Sequence, residues 1–175
     1  MGSVLNRDEI ESICIKSFEL LNGVVNPRVK INGICKNLDL DNASMFYMYN
    51  DGEKEVHYNP KIIQYSLYDK TISQQNAFIV HVICHELIHA QQCINFRSYG
   101  IYEEYTNHIE IEASALAIRF MMNYLQWISN KLELPLDISL LLSEYKEDLY
   151  LILHQRRVQY AHIRYFYGPN GPVYV

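Results

Sequence analysis

The sequence predicts an α+β domain: an amphipathic first helix, a small and mostly antiparallel sheet, then helices over most of the C-terminal half. Three observations carry this. Apolar residues recur at three- and four-residue steps in "NRDEIESICIKSFELLN"; they alternate in "RVKIN", "SMFYMYN" and "KEVHYN"; and helical spacing returns beyond Ser73. At 175 residues the chain suits one domain with one core, so 1–175 is read as a single unit.

In the first helix Ile10, Ile13, Cys14, Phe18 and Leu21 form the apolar face, acidic residues occupy the first turn and Gly23 follows the end. The "NDGE" between "SMFYMYN" and "KEVHYN" reads as a hairpin turn. "PKIIQYSLYD" opens with proline at a helix-compatible first position and predicts a short helix or turn. Ser73 is the expected cap of a long helix over about 74–95, apolar at Phe78, Val82 and Ile83. An irregular connection over 97–106, containing Gly100, leads to a second long helix over about 107–131, and Pro135 closes that region. A third helix, "DISLLLSEYKEDLYLILHQRR", starts at Asp137 as cap, and "YAHIRYFYGPNGPVYV" predicts one short strand and a turn-rich tail. That tail has two readings, a loose end or an extended segment lying in a cleft.

Composition narrows the function classes. With 49% hydrophobic and 20% charged residues the chain reads as an ordinary globular protein. A net charge of −5 and a pI near 5.8 give no electrostatic footprint for nucleic acid. The opening "MGSVLNRDEIESICIKSF" turns acidic at once, and no apolar run approaches the roughly 18–20 residues of a membrane span. Cysteines 14, 35, 84 and 93 form no CxxC pair and read as thiols of a reducing, cytoplasmic compartment. Fifteen tyrosines are consistent with a partly polar groove or with compositional bias.

The chemistry concentrates in "HVICHELIHAQQC", where His81, His85, His89 and Cys93 stand four residues apart. On a helix, His85 and His89 project from one face about 6 Å apart along the axis and can put two imidazole nitrogens on one ion. Glu86 lies within the same turn, placed to take a proton from an activated water without being a ligand. His81 to His89 spans about 12 Å of rise, too far for three such histidines to share an ion. The His81/His85 pair encloses no carboxylate, so His81 is read as a packed histidine, and Cys84 and Cys93 as packing thiols.

A hydrolytic zinc site needs a third protein ligand. Gln92 and Asn95 stand where the metzincin pattern requires glycine and histidine, which removes that class. The start of the second long helix offers His108, Glu110 and Glu112. The two glutamates project about 200° apart, so only one faces a given site. Glu110 heads a stripe through Ala113, Ala117, Phe120 and Met121 and is preferred; Glu112 and His108 are the alternatives. Asn107, Glu112 and Ser114 are candidates to orient the ligand histidines, and Tyr102, Tyr105, His162 and Tyr165 to donate to an oxyanion.

HELIH followed by "EIEASALAIRFMMN" resembles the gluzincin branch of zinc metallopeptidases, and most closely the ImmA/IrrE-like peptidases. The resemblance spans about 40–125, leaving 135–175 as a helical extension and tail. It implies a zincin-like fold with the sheet packed on the active-site helix, Zn2+ held by His85, His89 and Glu110, and Glu86 as catalytic base. Asn123 stands where the family pattern has proline, so the helix is expected to continue. The strand "EVHYNP" is expected to border a cleft and pair with an extended peptide. The resulting expectation is a zinc endopeptidase acting on a specific intracellular protein or peptide. The alternatives are a non-catalytic binding module on the same scaffold and a hydrolase of a non-peptide bond.

Overall fold

The computed structural model describes residues 3–25, 31–40, 44–50, 53–99, 106–154, 165–168 and 171–174. Helix α1, Arg7–Leu21, starts where Asn6 accepts from the amides of Asp8 and Glu9 while the Glu9 carboxylate accepts from the Asn6 amide. This reciprocal cap satisfies donors that a helix start otherwise leaves unpaired. The expected face is the buried one: Ile10, Ile13, Cys14, Phe18 and Leu21 are all in the core. Each of the Ile, Leu and Phe side chains contributes about 1.5–3 kcal/mol by leaving water. Beyond the C-cap Asn22, Gly23 adopts φ 95°, a conformation that costs glycine little.

Strands β1 (Gly33–Lys36), β2 (Met45–Asn50) and β3 (Glu53–Tyr58) form a sheet in the order β1-β3-β2. The expected hairpin is present, with Asn50 opposite Glu53 and Met45 opposite Tyr58. Two corrections follow. The first strand lies on "GICK", just downstream of "RVKIN", whose residues 28–30 fall outside the described set. The sheet is also mixed rather than mostly antiparallel, because β1 runs parallel to β3. The chain leaves β1, forms the far edge as β2, and returns through the middle, which sets that direction. β3 is consequently the central strand with both edges paired, so it cannot accept the extended peptide expected of "EVHYNP"; the edge strands are β1 and β2.

Asn59 caps α2 (Pro60–Ser66) by accepting from the amides of Lys61 and Ile62, with Pro60 in the first turn. Helix α3 spans Ile72–Tyr99, longer than expected at both ends. Its cap is Thr71, not Ser73: the Thr71 hydroxyl accepts from the Gln74 amide and the Gln74 side chain accepts from the Thr71 amide. Ile79, Val80, Ile83, Cys84, Leu87 and Ile88 are buried, whereas Phe78 and Val82 are only partly so. A helix apolar nearly all round is a central one, and α3 packs against α1, α4, β2 and β3. Buried Gln75 accepts from the Leu5 amide, and Asn76 donates to the Pro135 carbonyl, fixing the start of α3 on both sides.

Helix α4, Thr106–Leu132, runs past Asn123 but leaves helical dihedrals at Tyr124. The expected third helix is two, α5 (Ser139–Glu144) and α6 (Lys146–His154), with Tyr145 between them. Asp137 accepts from the Ser139 amide but sits one residue before the N-cap, Ile138. The C-terminus holds two strands rather than one strand and a tail: β4 (Tyr165–Gly168) and β5 (Gly171–Tyr174) pair antiparallel, and β4 packs on α4. Among the described residues no helix is long and apolar enough to cross a membrane.

Candidate metal centre

The four-residue spacing on α3 brings the His85 and His89 Nε2 atoms to 2.8 Å of each other. From α4, Glu110 reaches both: one carboxylate oxygen lies 3.1 Å from His85 Nε2 and the other 3.2 Å from His89 Nε2. Close helix approach makes this reach short enough, because the α4 residues following Glu110 include Ala113, Ala115 and Ala117, all buried. The three donor groups form a compact cluster within 4.8 Å.

The outer faces of the rings are also held. His89 Nδ1 is 2.7 Å from the Gln92 side-chain oxygen. That amide is oriented by its own nitrogen, which donates to the Glu112 carboxylate at 2.8 Å and to the Ile109 carbonyl at 3.0 Å. Gln92 therefore accepts from His89 Nδ1–H, leaving the Nε2 lone pair pointing inward. His85 Nδ1 lies 3.3 Å from the Ser114 hydroxyl. The inward His89 lone pair and the Glu110 carboxylate, this close to His85 Nε2, need a proton or a metal ion between them. Burial opposes a charge on His89, but hydrogen bonding to Glu110 and the nearby Glu86 and Glu110 carboxylates outweigh it and raise its pKa. Hydrogen bonds from His85 and His89 hold the Glu110 carboxyl well below the usual range.

The donor set fits zinc. Bonds of ~2.1 Å at tetrahedral angles separate neighbouring ligand atoms by about 3.4 Å, and the separations here, 2.8, 3.1 and 3.2 Å, need only a slight expansion. Both nitrogens have the orienting oxygen partners that metal-bound histidines generally have.

Glu110 and Glu112 take different roles, as their angular separation requires. Glu110 is exposed at the cluster, whereas Glu112 is buried and bonded to Gln92. The apolar stripe could not have decided this, since Glu112 through Ile118 are all buried. Glu86 is buried, and its charge acts on His89. His81 stays outside the cluster: its ring lies 5.1 Å from that of Tyr145 and 6.2 Å from that of His85. Burial, and secondarily His85, push its pKa down to about 3, so it is neutral at physiological pH.

Of the residues named from sequence, Tyr102, Tyr105 and His162 lie outside the described residues, as do the side chains of Cys93, Asn107, His108 and Tyr165. Two residues were missed. Gln92 stands three residues from His89, on the same helical face, and that spacing was the available signal. Tyr145 gave none, since it reaches His81 only through the α5–α6 break. Gln92→Ala is expected to weaken zinc binding by about 10–100-fold, the usual worth of a group that orients a ligand histidine. Competition with a chromophoric chelator reads this directly, and an unchanged affinity would remove Gln92 from the site. Comparisons with family models, with curated proteins and with solved structures found no match for this chain.

Proposed function

We propose that this chain is a zinc-dependent endopeptidase with a zincin-like arrangement, acting on a protein or peptide in a cytoplasmic setting. The observation that carries the reading is the convergence of His85, His89 and Glu110 with Glu86 beside His89. When bound, zinc supplies Lewis-acid activation of water and carbonyl at neutral pH. The chain's own residues do the rest. His85, His89 and Glu110 provide three ligands and leave room for a fourth, the composition of a catalytic rather than a closed structural site. Glu86 accepts the proton of the attacking water and returns it to the leaving amine.

A base in this position favours hydrolysis over simple partner binding, because a purely structural site has no use for one. The extended substrate is assigned to the β2 edge. β2 packs on α3 and, among the described residues, is paired on one side only, by β3. Main-chain hydrogen bonds to such an edge give affinity without demanding a particular sequence.

The test is to incubate the zinc-loaded full chain with a proteome-derived peptide library and read new N-termini by mass spectrometry. Cleavage with wild type, lost on chelation and in Glu86→Gln, is the expected result. Zinc binding without any wild-type cleavage would leave the binding-module reading standing instead, and equal cleavage by Glu86→Gln would remove Glu86 as the base.

A further inference from the structure

A second group of metal-ligand side chains lies outside the α3–α4 site, on the sheet. In the parallel β1–β3 pair, Cys35 stands opposite His57 and Gly33 opposite Glu55. Side chains two apart on a strand share a face, so Glu55 and His57 project together and Cys35 joins them across the ladder. Val56 and Tyr58 alternate to the other face and are fully buried, which turns Cys35, Glu55 and His57 away from the core. One sulfur, one carboxylate oxygen and one imidazole nitrogen consequently lie within 4.8 Å of one another, all three residues partly exposed. The Glu55 carboxylate is 3.1 Å from His57 Nε2, and the Asn37 side-chain nitrogen is 3.2 Å from His57 Nδ1.

We propose that Cys35, Glu55 and His57 form a second cation site, for a thiophilic divalent ion of the zinc class. Sulfur, nitrogen and carboxylate together favour such an ion over magnesium or calcium, which take oxygen ligands. Three protein donors at a partly exposed face leave positions for water. Binding replaces the thiol proton and the His57 Nε2 proton, while Nδ1 gains one, so each ion releases one proton net from a protonated thiol and neutral imidazole. Asn37 must then turn its amide to accept from Nδ1–H, giving up the bond its oxygen takes from the Asp39 amide at 3.0 Å. That rearrangement makes this the weaker of the two sites.

The sulfur separates this site from the first, whose donors contain none. Cobalt(II) titration of the full chain is expected to load two equivalents and to produce a thiolate-to-cobalt charge-transfer band in the near ultraviolet. Glu110→Ala should lose one equivalent and keep the band, whatever becomes of the peptidase reading. Cys35→Ser should lose the band and keep the other equivalent, Cys93→Ser should change neither, and His57→Asn should weaken the band-forming site at least 10-fold. Absence of the band in wild type, or its survival in Cys35→Ser, overturns the proposal. Should Cys35→Ser not fold, an unaltered band-forming affinity in His57→Asn overturns it equally.

Discussion

Glu86→Gln is expected to keep its zinc and lose about 10²–10⁴-fold in peptide cleavage rate, the usual worth of a positioned general base. The amide preserves shape and burial but cannot take the proton. Glu110→Ala should fail differently. It removes one of the three proposed ligands, and zinc content should fall by one equivalent, with an affinity loss exceeding the roughly 10–100-fold expected for an orienting group. Glu112→Ala belongs to that smaller class, since its carboxylate meets the site through Gln92. Metal analysis beside single-turnover cleavage separates the three variants. Zinc retained in Glu110→Ala and lost in Glu112→Ala would reverse the assignment of the two glutamates.

Acidifying the metal-free protein should destabilise it steeply through His81. Its pKa is pushed down to about 3 in the fold by burial and lies near the ordinary histidine value of 6.5 in the unfolded chain. Between those values the unfolded chain binds the extra proton, so stability falls as pH falls, by up to about 1.4 kcal/mol per unit. The contribution is fully present above 6.5 and exhausted below about 3, amounting to about 5 kcal/mol in all. That is a large share of the roughly 5–15 kcal/mol by which ordinary domains are stable. His81→Phe, which cannot titrate, should show a flatter dependence of its denaturation midpoint on pH between 6 and 4. Identical slopes in the two proteins would sink this account. The comparison tolerates any packing change, because it reads a slope rather than a stability.

Features set by local chemistry were legible in the sequence. The α1 face, the β2–β3 hairpin and the His85/His89 pair all follow from periodicity or turn residues. Features set by partners distant in sequence were not. "GICK" alternates too weakly to announce itself, and what makes it a strand is a parallel partner 22 residues on. Thr71 and Ser73 are both good caps, and the reciprocal bond from Gln74 decides between them. No glycine or proline marks the break at Tyr145; its ring packs on buried His81. Of the two glutamates, angular spacing allowed only one to face the histidine pair, but a helix buried on most sides could not say that it is Glu110.

The position of β2 also bears on how the protein behaves at high concentration. "MFYMYN" is rich in aromatic and apolar residues, without charge or proline, and its strand lies at a sheet edge. Such an edge is a template for any extended chain, including another copy of itself. The same backbone groups proposed to hold a substrate would then nucleate self-association when none is present. Substrate-like peptides should therefore keep concentrated solutions clear even when nothing is cleaved. A lysine placed at Tyr47 or Tyr49 should improve solubility and weaken peptide capture together.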